Sequence, residues 1–155
     1  MIRRTVIISG GILLVAAAVW AGKGGRFFAA AAPDTKEWLG TSLDQHAKIV
    51  GNDRCIGNLD GKVPDPKDGS KTTVIGWGWD VKAKALPQAV LLVDASGKIA
   101  GSALPGVSRP DVPKALPQVT SGKTGWNGVI ESKTGKVAAY LLLSGEEACP
   151  LGLPK

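Results

Sequence analysis

Short apolar runs separated by turn-forming residues fill the chain from Cys55 onward, and they restrict the domain to many short elements rather than long helices. The run at 72–80 alternates, so Trp77 and Trp79 share one face of a predicted strand. The runs at 89–93 and 137–143 are apolar on both faces, as in strands covered on each side. Further predicted strands lie at 98–104 and 126–130, and Ser96-Gly97-Lys98 predicts a hairpin turn.

About seven strands within some 95 residues predict an all-β domain, an antiparallel β-sandwich of immunoglobulin type. A small closed barrel is the alternative. The chain has two cysteines, Cys55 and Cys149, at opposite ends of this domain. In an oxidising compartment such a pair more often forms a bond than two separate buried thiols, and closing so long a loop stabilises the fold by about 4–5 kcal/mol.

The N-terminus contains 18 residues without charge, from Thr5 to Gly22, which is enough to span a bilayer core of about 30 Å as a helix. Arg3 and Arg4 precede this run and favour a cytoplasmic N-terminus. Residues 5–22 are therefore predicted to be a single-pass anchor in a bacterial inner membrane, with the remainder extracytoplasmic. The alternative is a cleaved signal, cut after Ala21 or within 29–32, that yields a secreted or periplasmic protein.

Three segments follow from these patterns: an anchor or signal at 1–32, a spacer at 33–54 and the sandwich at 55–155. In the spacer, Asp34 is a candidate N-cap and apolar residues recur near helical spacing, so a short amphipathic helix is expected at about 35–48. This helix would separate the domain from the bilayer or pack on its side. Trp38 is a candidate for the lipid interface.

Net charge argues against a nucleic-acid partner. Four of the 19 Lys and Arg side chains precede residue 33, whereas all 13 Asp and Glu side chains follow it, so residues 33–155 carry only +2. Such a nearly neutral domain has no excess of cations to neutralise phosphates.

Several motifs together resemble a known module. They are Cys55-Ile56-Gly57-Asn58-Leu59-Asp60, Gly76-Trp77-Gly78-Trp79-Asp80, Ser108-Arg109-Pro110-Asp111-Val112, Gly125-Trp126, and Tyr140 before Cys149. This set resembles a bacterial extracytoplasmic Ig-like β-sandwich module, similar to those at the C-terminal ends of multi-spanning membrane glycosyltransferase-like proteins. The resemblance implies a sandwich in the cell envelope. It implies no transferase activity, because no multi-spanning catalytic part accompanies the module here.

Residues suited to catalysis are few. His46 is the only histidine, and it lies in the spacer rather than beside a nucleophile motif. No His or Cys pair has zinc-ligand spacing, and the aspartates at 60, 65 and 68 lack the order of a calcium loop. We therefore expect no catalytic residues, no metal site and no cofactor.

Arg109 and the tryptophans are the candidates for recognition. The motif Arg109-Pro110-Asp111 predicts a turn in which Pro110 fixes the backbone while Arg109 and Asp111 hold neighbouring strands, and Arg109 is also a candidate ligand contact. Trp77 is assigned to the sandwich interior, more deeply than Trp79. The other candidates for contact with a ligand or partner are Trp79 and Trp126.

These observations favour a non-enzymatic, membrane-anchored envelope protein whose sandwich contacts another envelope component, possibly of glycan assembly. A carbohydrate-binding module is the alternative hypothesis, because exposed indoles can stack on sugar rings. A small envelope enzyme is the third.

Overall fold

The computed structural model describes residues 33–144 and 146–151. These residues form two β-sheets built mainly from antiparallel pairs, which confirms the prediction of an all-β, sandwich-like domain. The strands are β1 (Lys48–Ile49), β2 (Cys55–Pro64), β3 (Lys71–Asp80), β4 (Ala89–Asp94), β5 (Ile99–Ala103), β6 (Pro105–Val107), β7 (Gly125–Glu131), β8 (Val137–Leu143) and β9 (Glu147–Pro150). The described residues thus contain nine strands rather than about seven, and β1 and β6 have only two and three residues.

One sheet has five strands in the order β1-β9-β8-β4-β5, and the other has four in the order β2-β3-β7-β6. β1 runs parallel to β9, whereas the other strand pairs within the described residues are antiparallel. The predicted hairpin turn joins β4 to β5, with Gly97 at a φ of +83° that favours glycine. The chain passes from the five-stranded to the four-stranded sheet at Leu104, between β5 and β6.

The interior between the sheets is apolar. It includes four completely buried side chains: Val74, Leu92, Trp126 and Leu141. β3 has two glycines, Gly76 and Gly78, on this inner side, where large side chains approach its backbone. A Cβ at Gly78 would lie 2.6 Å from Cδ2 of Leu141, and one at Gly76 would meet the indole of Trp126. The glycines therefore let these large side chains approach the backbone of β3.

The two tryptophans of β3 do share one face, as the alternation predicts, but that face is the outer one. Trp79 is 3% exposed and packs with Val112 and Val119 on the outside of the four-stranded sheet, and Trp77 packs against the same cluster. Trp77 is only half-buried. The assignment of Trp77 to the sandwich interior, and to deeper burial than Trp79, is therefore wrong, because Gly76 and Gly78 occupy the inner side.

The predicted disulfide is confirmed. Cys55 in β2 and Cys149 in β9 are bonded with their Cα atoms 6.2 Å apart, within the usual range for a disulfide. Since β2 and β9 belong to different sheets, the bond ties the two layers together.

The predicted helix at 35–48 is not formed. Two short 3-10 turns, Thr35–Trp38 and Leu43–Gln45, take its place, and Gly40 between them has a φ of +80° that interrupts a helix. The apolar residues of this segment recur because both turns pack on the five-stranded sheet, where Leu43 is buried. The ring of Trp38 stacks on His46 at a centroid distance of 4.5 Å.

The predicted membrane segment at residues 5–22 lies outside the described residues. Among the helices that the structure describes, none combines the length and the hydropathy needed to cross a membrane.

Candidate binding surface

The outer faces of the two sheets differ in how they are covered. On the five-stranded sheet, Leu91, Ile99 and Leu142 are buried beneath the segment that carries the two 3-10 turns. On the four-stranded sheet, a chain excursion that includes α1 (Asp111–Ala115) covers only the end near Trp79. The other end of that face has no cover within the described part of the chain.

This uncovered end consists of two rows of side chains that the strand register aligns across β2, β3 and β7. Val63, Thr73 and Val129 form one row, and Gly61, Ile75 and Asn127 form the next. Val63 and Val129 are each 51% exposed, whereas Gly128 and Ile130, the inward-facing neighbours of Val129, are buried. We call Val63, Thr73, Ile75, Asn127 and Val129 the open face.

Arg109 lies at the border between the covered end and the open face. Its Nη1 donates to Oδ2 of Asp60 at 2.5 Å, while its Nη2 and Nε donate to the carboxylate of Asp111 at 2.8 Å and 3.0 Å. Its Cγ is 2.8 Å from where a Cβ at Gly125 would lie. Since Gly125 is in β7, Asp60 is in β2 and β3 lies between these strands, the arginine side chain reaches across β3 from β7 to β2.

Charge-assisted hydrogen bonds dominate the chemistry of this cluster. The hydrogen bonds from Arg109 lower the pKa of Asp111, and that carboxylate in turn raises the pKa of Arg109 above its ordinary value. Asn58 donates to the second oxygen of Asp60 at 2.8 Å. One arginine faces two carboxylates, so the cluster is net negative. Arg109 therefore acts mainly as a clamp between strands in this arrangement, and Pro110 and Asp111 provide the turn and the acceptor.

The other two candidate contacts are inaccessible. Trp126 is 0% exposed between the sheets, and Trp79 is 3% exposed beneath the excursion that contains α1. Neither indole can stack on a ligand in this conformation. Of the three tryptophans in β3 and β7, Trp77 is the one with accessible surface, and it lies beside Asn58 at the border of the open face.

Two titratable groups that could otherwise suggest chemistry, His46 and Asp80, have structural partners. Nε2 of His46 is 2.6 Å from Oγ1 of Thr41, and the imidazole is stacked on Trp38. Asp80 accepts from the backbone N–H groups of Lys82 and Ala83 and faces Arg54. No group of three His, Cys, Asp or Glu residues that could hold a metal ion occurs among residues 33–144 and 146–151.

Sequence reasoning overlooked the open face. A signal was available, since Asn127, Val129 and Glu131 alternate with the apolar residues of β7 and would be expected on an exposed side. The pattern could not show how far this side is covered within the described residues, because the covering excursion comes from a distant part of the chain.

No protein-family model matches this chain, and neither a curated protein nor a solved structure matches it.

Proposed function

We propose that this is a non-enzymatic, membrane-anchored envelope protein whose Ig-like β-sandwich binds another envelope component through the open face. The observation that carries the proposal is the contrast between the sheets. One outer face is buried by the chain itself, whereas the other leaves Val63 and Val129 half exposed in one row. Exposed apolar side chains that lie together on a sheet face are suited to contact with a partner protein.

The proposed location rests on two features of the chain. The uncharged segment at 5–22 has the length of a membrane span, and the disulfide is typical of an oxidising, extracytoplasmic compartment. Together they favour an inner-membrane anchor with the sandwich outside the cytoplasm. Alkaline extraction of membranes tests the anchor independently of binding, because an anchored chain stays with the lipid.

Site-specific photo-crosslinking in intact cells tests the binding surface. A photoreactive amino acid is placed at Val63 or Val129, and at Ile49 as a matched control, because Ile49 is 52% exposed on the other sheet. We expect one and the same protein to be crosslinked from both open-face positions and not from Ile49. In a binding assay with that purified protein, Val129→Glu should weaken affinity at least tenfold, since it places a charge in an apolar contact. Crosslinks that are absent, or equal at Ile49, contradict the proposal.

A carbohydrate ligand is the second candidate, and its support is the half-buried Trp77 beside Asn58, Asp60 and Arg109. Aromatic and planar polar side chains together suit a sugar ring. Retention on a polysaccharide matrix that is lost in Trp77→Ala but kept in Val129→Glu would favour this candidate over a protein partner.

A further inference from the structure

A cleft opens between the two sheets on the side where β2 faces β8. Its volume is about 530 Å³, within the usual range for small-molecule sites. The apolar part of the lining is Leu59, Val93, Val137 and Ala138, and the charged part is Lys62, Asp94 and Lys136. Leu59 and Val137 also pack against the interior cluster, so the floor of the cleft continues the hydrophobic core.

The two lysines line the cleft from opposite sides, Lys62 from β2 and Lys136 from the connection just before β8. Lys62 is paired with buried Val74 and so lies on the inner side of β2, and its Nζ donates to the carbonyl of Gly135 just before β8. An ammonium has three N–H donors, so two remain for a ligand. Lys136 follows Gly135 directly and lines the same cleft.

The carboxylate of Asp94 accepts hydrogen bonds from its own turn. Its Oδ1 accepts from the backbone N–H groups of Ser96 and Lys98, at 2.8 Å and 3.1 Å, and from Oγ of Ser96 at 2.6 Å. Hydrogen bonds from Ser96 are the main cause that lowers the pKa of Asp94, so this carboxylate stays ionised at neutral pH. The rim thus carries two cations against one anion above an apolar floor.

We propose that this cleft binds a medium-chain aliphatic anion. The aliphatic chain lies on Leu59 and Val137, whose side chains face the space between the sheets, and the anionic head group receives hydrogen bonds from Lys62 and Lys136. A neutral aliphatic molecule would make the apolar contacts with the floor but no ionic hydrogen bonds with the lysines. A small polar anion would make those hydrogen bonds but not the apolar contacts. The site is separate from the open face, because Lys62 and Val63 lie on opposite sides of β2.

Calorimetric titration of the full chain in nanodiscs tests this proposal, with protein-free nanodiscs as the blank. The probes are octanoate, octyl phosphate and the neutral analogue 1-octanol. We expect both anions to bind more tightly than 1-octanol. The double variant Lys62→Gln, Lys136→Gln should weaken anion binding about tenfold or more, because it removes charge-assisted hydrogen bonds.

Three further variants identify the site. Asp94→Asn should tighten anion binding, because it removes the repelling charge while keeping the acceptor oxygen of the turn. Val137→Phe should weaken binding of all three probes by filling the apolar floor of the cleft. Lys114→Gln, which replaces an exposed lysine in α1, should leave the affinity for all three probes unchanged. Preference between octanoate and octyl phosphate then distinguishes a carboxylate from a phosphate head group.

The proposal is overturned if octanoate and octyl phosphate both fail to bind the wild-type chain. It is equally overturned if 1-octanol binds as tightly as the anions, or if Lys114→Gln weakens binding as much as the double variant. Melting of each variant establishes that the fold is intact. Loss of anion binding leaves the crosslinking at the open face unaffected, so the two proposals fail separately.

Discussion

Replacing Gly78 by Ala tests how closely the two sheets pack. A Cβ at this position would lie 2.6 Å, 2.8 Å and 3.2 Å from Cδ2, Cδ1 and Cγ of Leu141, whereas carbon atoms in contact are about 3.5–4.0 Å apart. Because Leu141 is completely buried, it has little room to move. We expect Gly78→Ala to lower the free energy of unfolding by about 1–3 kcal/mol, despite the entropic advantage of Ala over Gly.

The cause can be isolated with a double-mutant cycle. Leu141→Ala alone should cost about 2–5 kcal/mol through lost burial and a cavity. In the double variant the new methyl group occupies part of the space that the leucine leaves, so its cost should be about 1–2 kcal/mol smaller than the sum of the single costs. Urea unfolding of the full chain in detergent, with the disulfide intact and tryptophan fluorescence as the signal, measures all four proteins.

A glycine in an open environment provides the control for backbone effects. Gly61 is in β2, and a Cβ there would have no neighbour within 4 Å, so Gly61→Ala should change the free energy of unfolding by no more than about 0.5 kcal/mol. If the two costs in the Gly78 and Leu141 cycle add within about 0.5 kcal/mol, the contact does not limit the packing and the reasoning is refuted.

Trp126→Ala should cost about 3–5 kcal/mol and Trp77→Ala clearly less, because the first indole is completely buried and the second is half-buried; equal losses in urea unfolding would argue against this placement. Reducing the Cys55–Cys149 bond should lower the free energy of unfolding by about 2–5 kcal/mol, and alkylation of the unfolded, unreduced chain should modify neither thiol. The lowered pKa of Asp111 contributes stability above its unfolded pKa of about 3.9, and this contribution is lost as the pH falls through the lower folded value. The melting temperature of Asp111→Asn should therefore fall less than that of the wild type between about pH 4 and pH 2. Parallel curves would show that the Arg109–Asp111 pair does not contribute to stability.

Periodicity along the chain predicts the longer central strands, although not the short strands β1 and β6. The runs at 89–93 and 137–143 correspond to β4 and β8, and the alternation at 72–80 correctly places Trp77 and Trp79 on one face. These predictions succeed because the repeat of two residues is a property of the extended backbone itself. The cysteine pairing also follows from local information, since only two cysteines are present.

The spacer shows where local pattern is ambiguous. Apolar residues near helical spacing between 35 and 48 are equally compatible with two turns that each place a side chain on a sheet. The contacts of Leu43 and Trp38 with the buried outer face of the five-stranded sheet favour the turns, and these contacts involve residues distant in the chain.

Alternation by itself determined that Trp77 and Trp79 lie together, but only the tertiary structure decided that they lie outside and Trp126 inside. A strand pattern separates two faces without saying which one meets the other sheet. That choice depends on the close approach of Leu141 and Trp126 to the glycines of β3. It also depends on the later excursion that contains Val112 and Val119, because this excursion covers Trp79. The open face exists for the same reason, because burial is decided by contacts between segments that are distant in the chain.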